Sequence, residues 1–141
     1  MLDFNSKLGR HVKDRLKREK VIWLTTVDAD NAPQPRPVWF HWDGETFLIF
    51  SQRGKAKLRH IERNPNVSLN FNSDEDGGDI AVFAPCRARI LDAPPDPVRV
   101  EEYLKKYRQG IKYLGMTVID FTKSYSVPLE IAPEALRGYV E

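Results

Sequence analysis

Three cations follow a strand end in the segment FSQRGKAKLRHIERNPNVSL, residues 50–69. Lys55, Lys57 and Arg59 stand at alternate positions just after Gly54. A strand, a glycine and a helix start leave backbone N–H groups free at the positive end of the helix dipole, a place that favours an anion. Lysine ammonium groups add point charges suited to a phosphate. Ser51, at the strand end, has a hydroxyl able to donate to the same oxygens. The same spacing also describes the solvated face of a surface helix, which is how most charge runs are used. Spacing alone leaves both readings open.

Other chemistry-bearing residues are sparse. His11, His41 and His60 are scattered, and no carboxylate cluster joins them at ligand spacing, so no metal site is expected. Cys86 is the only cysteine. It excludes an intramolecular disulfide and a cysteine-based zinc site, and it reads as a small core residue. No Ser, His and Asp arrangement suggests nucleophilic catalysis. Trp39 and Trp42 read first as strand residues that fill a core or an interface between copies.

These residues need elements to position them. Leu8, Val12 and Leu16 repeat at helical spacing among charges, which predicts an amphipathic helix over 7–20, capped by Asn5 or Ser6. The β-branched run VIWLTTV predicts a strand over 21–27. A second strand over 33–42 has prolines at 35 and 37, which suits an edge or a bulged start. The Asp43-Gly44 turn returns the chain into a third strand over 45–51, completing a meander. A short helix over 55–63 ends at Asn64-Pro65. Alternation predicts a strand over 66–72, and one long strand or two follow over 80–93, bent near Pro85. A second amphipathic helix over 96–111 offers Val98, Tyr103 and Tyr107 as its buried face. Two strands around a proline-marked turn close the chain over 124–140. Many short strands with a few helices argue for a mainly β, α+β protein, a barrel with helices packed outside.

With 141 residues and no linker, repeat or low-complexity tract, a single domain over 1–141 is expected, large enough for a real core. Lys and Arg number 22 against 20 Asp and Glu, a net charge of +2, which is too balanced for a dedicated nucleic-acid binder. No apolar run approaches membrane-spanning length, so no membrane partner is expected. The first twenty residues lack the apolar stretch of a signal peptide, and the expected location is cytoplasmic.

Three segments carry a resemblance. TTVDADNAPQPRPVWFHWDGETFLIFS is similar to the opening meander of the pyridoxamine 5′-phosphate oxidase-like split-barrel superfamily of flavin and deazaflavin oxidoreductases. GKAKLRHIERNPNVSL resembles the K-x-x-x-I-x-x-N-P-x-V signature that follows the family's phosphate-binding turn. YSVPLEIAPEALRGY is similar to its closing strands. Their order and spacing look most like the actinobacterial-type branch of F420-dependent enzymes. The resemblance implies a six- to seven-stranded antiparallel split β-barrel with peripheral helices. It also implies a homodimer with cofactor grooves at the interface, and it favours the anion-site reading of residues 50–69.

The resemblance further implies where a cofactor lies. The run Arg36, Pro37, Val38, Trp39, Phe40 and His41 falls on the family's cofactor-lining second strand, where many contacts are through backbone. Arg36 falls where a phosphate-binding arginine is common, and Trp39 becomes a candidate wall for an isoalloxazine-like ring. Phe50 and Ser51 fall at the end of the third strand, whose hydroxyl residue usually touches the phosphate. Lys57 matches the signature lysine, with Lys55 beside it. Ala56 falls where oxidases of the family often have a second phosphate-binding arginine, which weighs against tight FMN binding. His41 falls where vitamin B6 oxidases carry a substrate-contacting lysine, which argues against that substrate. Around APCRARI many relatives have Gly-x-Ala, where this chain has Cys86-Arg87-Ala88.

The implied activity is that of an oxidoreductase using coenzyme F420, with FMN as the alternative cofactor. Hydride would pass to or from a small conjugated substrate such as an enone, quinone or tetrapyrrole. A non-catalytic flavin, deazaflavin or haem binder of the same fold is the competing reading. Lys7, Arg10, Lys13, Arg15, Lys17, Arg18 and Lys20 of the first helix, with Lys55, Lys57 and Arg59, offer a basic track for the polyglutamate tail of a deazaflavin. A solvated helix face explains the same charges.

Overall fold

The computed structural model describes residues 2–141. Helix α1 (Lys7–Arg18) begins where the Ser6 hydroxyl accepts a hydrogen bond from the Gly9 N–H at 2.9 Å. This is the expected cap, and it satisfies one of the donors that a first helical turn leaves unpaired. Val12 and Leu16 of its apolar stripe are buried. Strand β1 (Ile22–Val27) alternates buried and half-buried residues, with Ile22, Leu24 and Thr26 facing inward. It pairs antiparallel with β2 (Pro33–Val38).

The chain continues through β3 (His41–Trp42), β4 (Phe47–Ser51), α2 (Ala56–Arg63), β5 (Asn66–Asn70) and β6 (Asp79–Ile90). Helices α3 (Pro97–Tyr113) and α4 (Val118–Ser124) follow, and β7 (Val127–Pro133) and β8 (Leu136–Val140) close it. The eight strands form one sheet in the order β2-β1-β5-β6-β7-β4-β3, with β8 on β6. All pairings are antiparallel. β2 and β3 lie at opposite ends of that order, yet only Trp39 and Phe40 separate them in the chain. That corner joins the two ends and curls the sheet into a split barrel. The architecture is the α+β split barrel expected from sequence.

The strand expected over 33–42 is therefore two strands, which raises the count above six to seven. The reason is a contact from α3. The Tyr107 hydroxyl accepts from the Phe40 N–H at 2.8 Å and donates to the Lys20 carbonyl at 2.7 Å. An α3 side chain thus takes the Phe40 donor that a continuous ladder would use.

The barrel interior is filled by Leu24, Phe47, Ile49, Leu69, Phe83 and Ile131, closed by Val12 and Leu16 of α1 and Ile61 of α2. A second cluster joins Tyr103, Tyr107 and Ile111 of α3 to Phe121 of α4, with Trp39 and Phe50 packed against it. Val98, expected on the buried face of α3, is 59% exposed. It stands in the first turn, beside the Asp96 cap that accepts from its N–H at 2.9 Å, and the buried face of α3 begins only at Tyr103. Among the described residues no helix is long and apolar enough to cross a membrane.

Candidate functional site

Two cavities meet at Pro37 and Lys57. The first, about 260 Å³, is walled by aromatic and apolar side chains, among them Val38, Trp39, Phe50, Tyr103, Phe121 and Tyr125. The second, about 350 Å³, is lined by Arg36, Lys55, Ala56 and Lys57, with Thr26, Gln34 and His60 behind them. An apolar slot that opens onto a cluster of cations can take a flat conjugated ring with an anionic arm.

The ring cavity is built by α3 and α4 against the Trp39 corner. Trp39 stacks on Tyr107 with centroids 4.5 Å apart and planes within 5°, and on Phe121 at 5.7 Å. Phe50 meets Tyr103 edge to face at 4.8 Å. Gly110 lets α3 lie flush on the indole. A Cβ there would come within 2.9 Å of Trp39 Cη2. Burial raises the Tyr103 hydroxyl above the ordinary tyrosine range, so it stays protonated.

The cation cavity lies at the start of α2. Lys55 is its N-cap residue, and no side chain caps that first turn. Among the described residues no carboxylate stands within ion-pair distance of Arg36, Lys55 or Lys57. Lys57 is half-buried. Its ammonium is pulled below the usual lysine range by burial first, then by Lys55 and Arg36. Three convergent cations with free helix-start amides and no counter-charge form a site that an anion would complete. Thr26, buried on β1, places its hydroxyl 2.8 Å from His60 Nδ1 at the back of the same cavity.

The structure divides the expected site residues. Arg36, Pro37, Lys55, Ala56 and Lys57 line the cation cavity, and Pro37, Val38, Trp39, Phe50 and Lys57 line the ring cavity. Phe40 is fully buried in the barrel. His41 is buried with Nε2 2.7 Å from a Glu102 carboxylate oxygen and faces a different cavity. Ser51 is 1% exposed and donates to the Gln52 carbonyl at 2.9 Å, so its hydroxyl is engaged in the backbone. Sequence reasoning did not single out Tyr103, Leu114, Phe121 and Tyr125 as ring-cavity residues, or Thr26 and His60 as cation-cavity residues. Five of the six lie outside the strand-turn-helix segment of residues 50–69; His60 lies within it, on α2, where the sequence weighed it only as a metal ligand.

The basic helix is divided as well. Arg15 pairs with Glu19 at 2.8 Å and Asp79 at 3.2 Å, and Arg18 pairs with Asp14 at 2.8 Å. Lys13 and Lys17 line a separate cavity that shares no residue with the other two. Among the described residues no group of three or more His, Cys, Asp or Glu is placed to hold a metal ion.

Comparison with known proteins places this geometry in a family. The model of the family described as pyridoxamine 5′-phosphate oxidase matches residues 8–134. The chain belongs to the pyridoxamine 5′-phosphate oxidase family. A pyridoxine/pyridoxamine 5′-phosphate oxidase from Aeromonas hydrophila is 32% identical over 69 residues, which are 48% of this chain and 33% of that enzyme. The match thus spans about a third of that enzyme's length. Among solved structures, an F420 reductase aligns with a TM-score of 0.62 and 24% identity, over 89% of this chain and 94% of that one. The haem storage protein HutZ from Vibrio cholerae aligns at 0.64 and 20% identity, over 94% and 95%. At these identities the two structures share the fold of this chain.

Proposed function

We propose that this member of the pyridoxamine 5′-phosphate oxidase family is an oxidoreductase that holds coenzyme F420 across the two cavities. Its substrate is a small conjugated molecule of the enone, quinone or tetrapyrrole class. The observation that carries the reading is the meeting of an aromatic slot and an unpaired cation cluster at Pro37 and Lys57. The residues present fit such a group, because Arg36, Lys55 and Lys57 lack an anion that a phosphodiester supplies. Ala56 supports a deazaflavin over FMN. It lines the cation cavity with a methyl group and offers no guanidinium fork for a terminal phosphate.

When bound, the deazaflavin supplies hydride chemistry at carbon, and the protein's part is binding, orientation and electrostatics. Lys57 holds the phosphate from the junction, with Lys55 and Arg36 flanking it. Trp39, Phe50 and Phe121 keep water from the ring cavity. Trp39 is itself fixed by Tyr107, so the wall is set before binding and little ordering is needed on binding.

Titration with F420 and with FMN, followed by cofactor fluorescence, tests the assignment. The expected result is saturable F420 binding at micromolar concentration, with FMN weaker. Tighter FMN binding moves the protein to a flavin enzyme. A Soret band on haem addition, with neither flavin bound, moves it to a haem binder. Reduced F420 offered to a panel of enones, quinones and tetrapyrroles then identifies the substrate class.

A further inference from the structure

Lys106 lies midway along α3 against the Trp39–Phe40 corner. Its Nζ donates to the Phe40 carbonyl at 3.2 Å and stands 3.7 Å from the Phe40 ring centroid and 5.2 Å from that of Tyr107. Lys106 forms one wall of a cavity of about 330 Å³, and Lys13, Leu16, Lys17, His41 and Trp42 form most of the rest. Among the described residues Lys13, Lys17 and Lys106 have no ion-pair partner. Glu102, beside the cavity, is engaged by His41. This cavity shares no lining residue with the ring and cation cavities and so stands apart from the proposed cofactor site.

We propose that this cavity is a condensation site, in which Lys106 forms an imine with a small aldehyde or 2-oxo acid whose anionic group is held by Lys13 and Lys17. The chemistry needs an amine with a free lone pair and fixed cations beside it for a carboxylate or phosphate. The Lys106 nitrogen attacks the carbonyl carbon and a C–N bond forms. The carbonyl oxygen then leaves as water with the two amine protons, which yields C=N. The condensation is redox-neutral and needs no oxidant or reductant.

Burial favours the reactive neutral amine, against the pull of the Phe40 ring and carbonyl on the ammonium. Burial pulls the Lys106 ammonium below the ordinary lysine range to about 8, with Lys20 acting in the same direction and Glu19 opposing. Lys13 and Lys17 of α1 face the cavity with positive charge, and the His41–Glu102 pair borders it from β3 and α3. At pH 8 about half of Lys106 is then neutral, against roughly 0.4% of a lysine at the ordinary 10.4. A less basic nucleophile is intrinsically slower, which offsets part of that hundredfold gain.

The test uses the full chain, glyoxylate as probe and cyanoborohydride to trap the imine at pH 8. Trapped lysines are located by peptide mass spectrometry, and acetaldehyde, which has no anionic group, is run in parallel. The expected result is that glyoxylate labels Lys106 about tenfold faster than Lys105 and Lys112, which are exposed on the same helix. Acetaldehyde should show a smaller preference. The double variant Lys13→Gln, Lys17→Gln should lower glyoxylate labelling of Lys106 several-fold and leave acetaldehyde labelling unchanged. Labelling of Lys106 no faster than that of Lys105 and Lys112 would overturn the proposal. So would equal preference for the two probes in the unmodified chain, a comparison that needs no variant to fold. A double variant that changes both probes alike, or neither, would also overturn it.

Discussion

Lys57 keeps a charge in a half-buried position beside Lys55 and Arg36, with no acid to offset it. A lysine whose folded pKa is lowered destabilises the folded state while it is protonated. The lysine at a helix start is ordinarily exposed and neutral in its effect on stability. Here the neighbourhood makes it a group whose loss should weaken binding and help the empty fold. Lys57→Gln is expected to raise the dissociation constant for F420 about tenfold to a hundredfold, the equivalent of roughly 1.5–3 kcal/mol for a charge-assisted phosphate contact. The same variant should unfold at equal or higher urea in the absence of ligand. Fluorescence titration and urea melts read the two effects separately, and wild-type affinity in the variant would remove the phosphate from this position. Lys106 follows the same sign with a defined window. Its folded value of about 8 lies below the unfolded 10.4, so the penalty is full below about 8 and is lost as pH rises toward 10.4. The wild-type urea midpoint should therefore rise relative to that of Lys106→Met between about pH 7 and pH 10. A constant difference between the two proteins would show that burial does not hold this amine down.

The corner between β2 and β3 decides where the ring cavity forms, and Tyr107 decides the corner. Its hydroxyl takes the buried Phe40 N–H, so Tyr107→Phe leaves that donor unpaired at an expected loss of about 1–3 kcal/mol in urea unfolding. Because Trp39 stacks on the same ring, F420 affinity should fall much less than stability does, since the phenyl face remains. A variant with wild-type stability would show that water replaces the hydroxyl. Much of this scaffold was legible in the sequence. The β-branched run marked β1, alternation marked β5, the Asp43-Gly44 turn marked the β3–β4 hairpin, and the apolar stripe after Asn5 or Ser6 marked α1. The division of 33–42 was not legible, because it depends on a tyrosine 67 residues away in the chain. Helix α4 was missed because its seven residues are too few for a helical period and include Val118, Ile119 and Thr122, which favour strands. One signal was available. Thr117 and Asp120 have capping-box spacing, and the Thr117 hydroxyl accepts from the Asp120 N–H at 3.1 Å. Lys55 and Lys57 were legible because they stand two residues apart just after a strand and a glycine, and Arg36 was placed beside them through the family resemblance. Of the site's aromatic walls Trp39 and Phe50 were named, but Tyr103, Phe121 and Tyr125 were not, because α3 and α4 bring them in from the far end of the chain.

On the scale of the whole molecule, the surface left over points to a partner. Trp39 and Trp42, read from sequence as fillers of a core or of an interface between copies, pack with Phe50 against the two cores, and Phe47 is fully buried. Among the exposed apolar side chains, three gather on the α3–α4 corner, where Leu114 is 53%, Val118 39% and Ile119 65% exposed. Leu114 also lines the ring cavity, so whatever covers this corner also covers the site. A second copy of the chain is the expected cover, since closed two-fold dimers are the commonest way for a small domain to bury such a patch. Sedimentation at micromolar concentration should therefore give a dimer. Ile119→Asp, which places a charge in the patch without touching either core, should shift it to monomer and weaken F420 binding together. Lys57→Gln should weaken binding and leave the dimer intact. That pair of variants separates assembly from phosphate contact. A monomeric Ile119→Asp protein that still bound F420 with wild-type affinity would mean that one chain's Trp39, Phe50 and Lys57 suffice to hold the cofactor, and that the exposed corner serves some other contact.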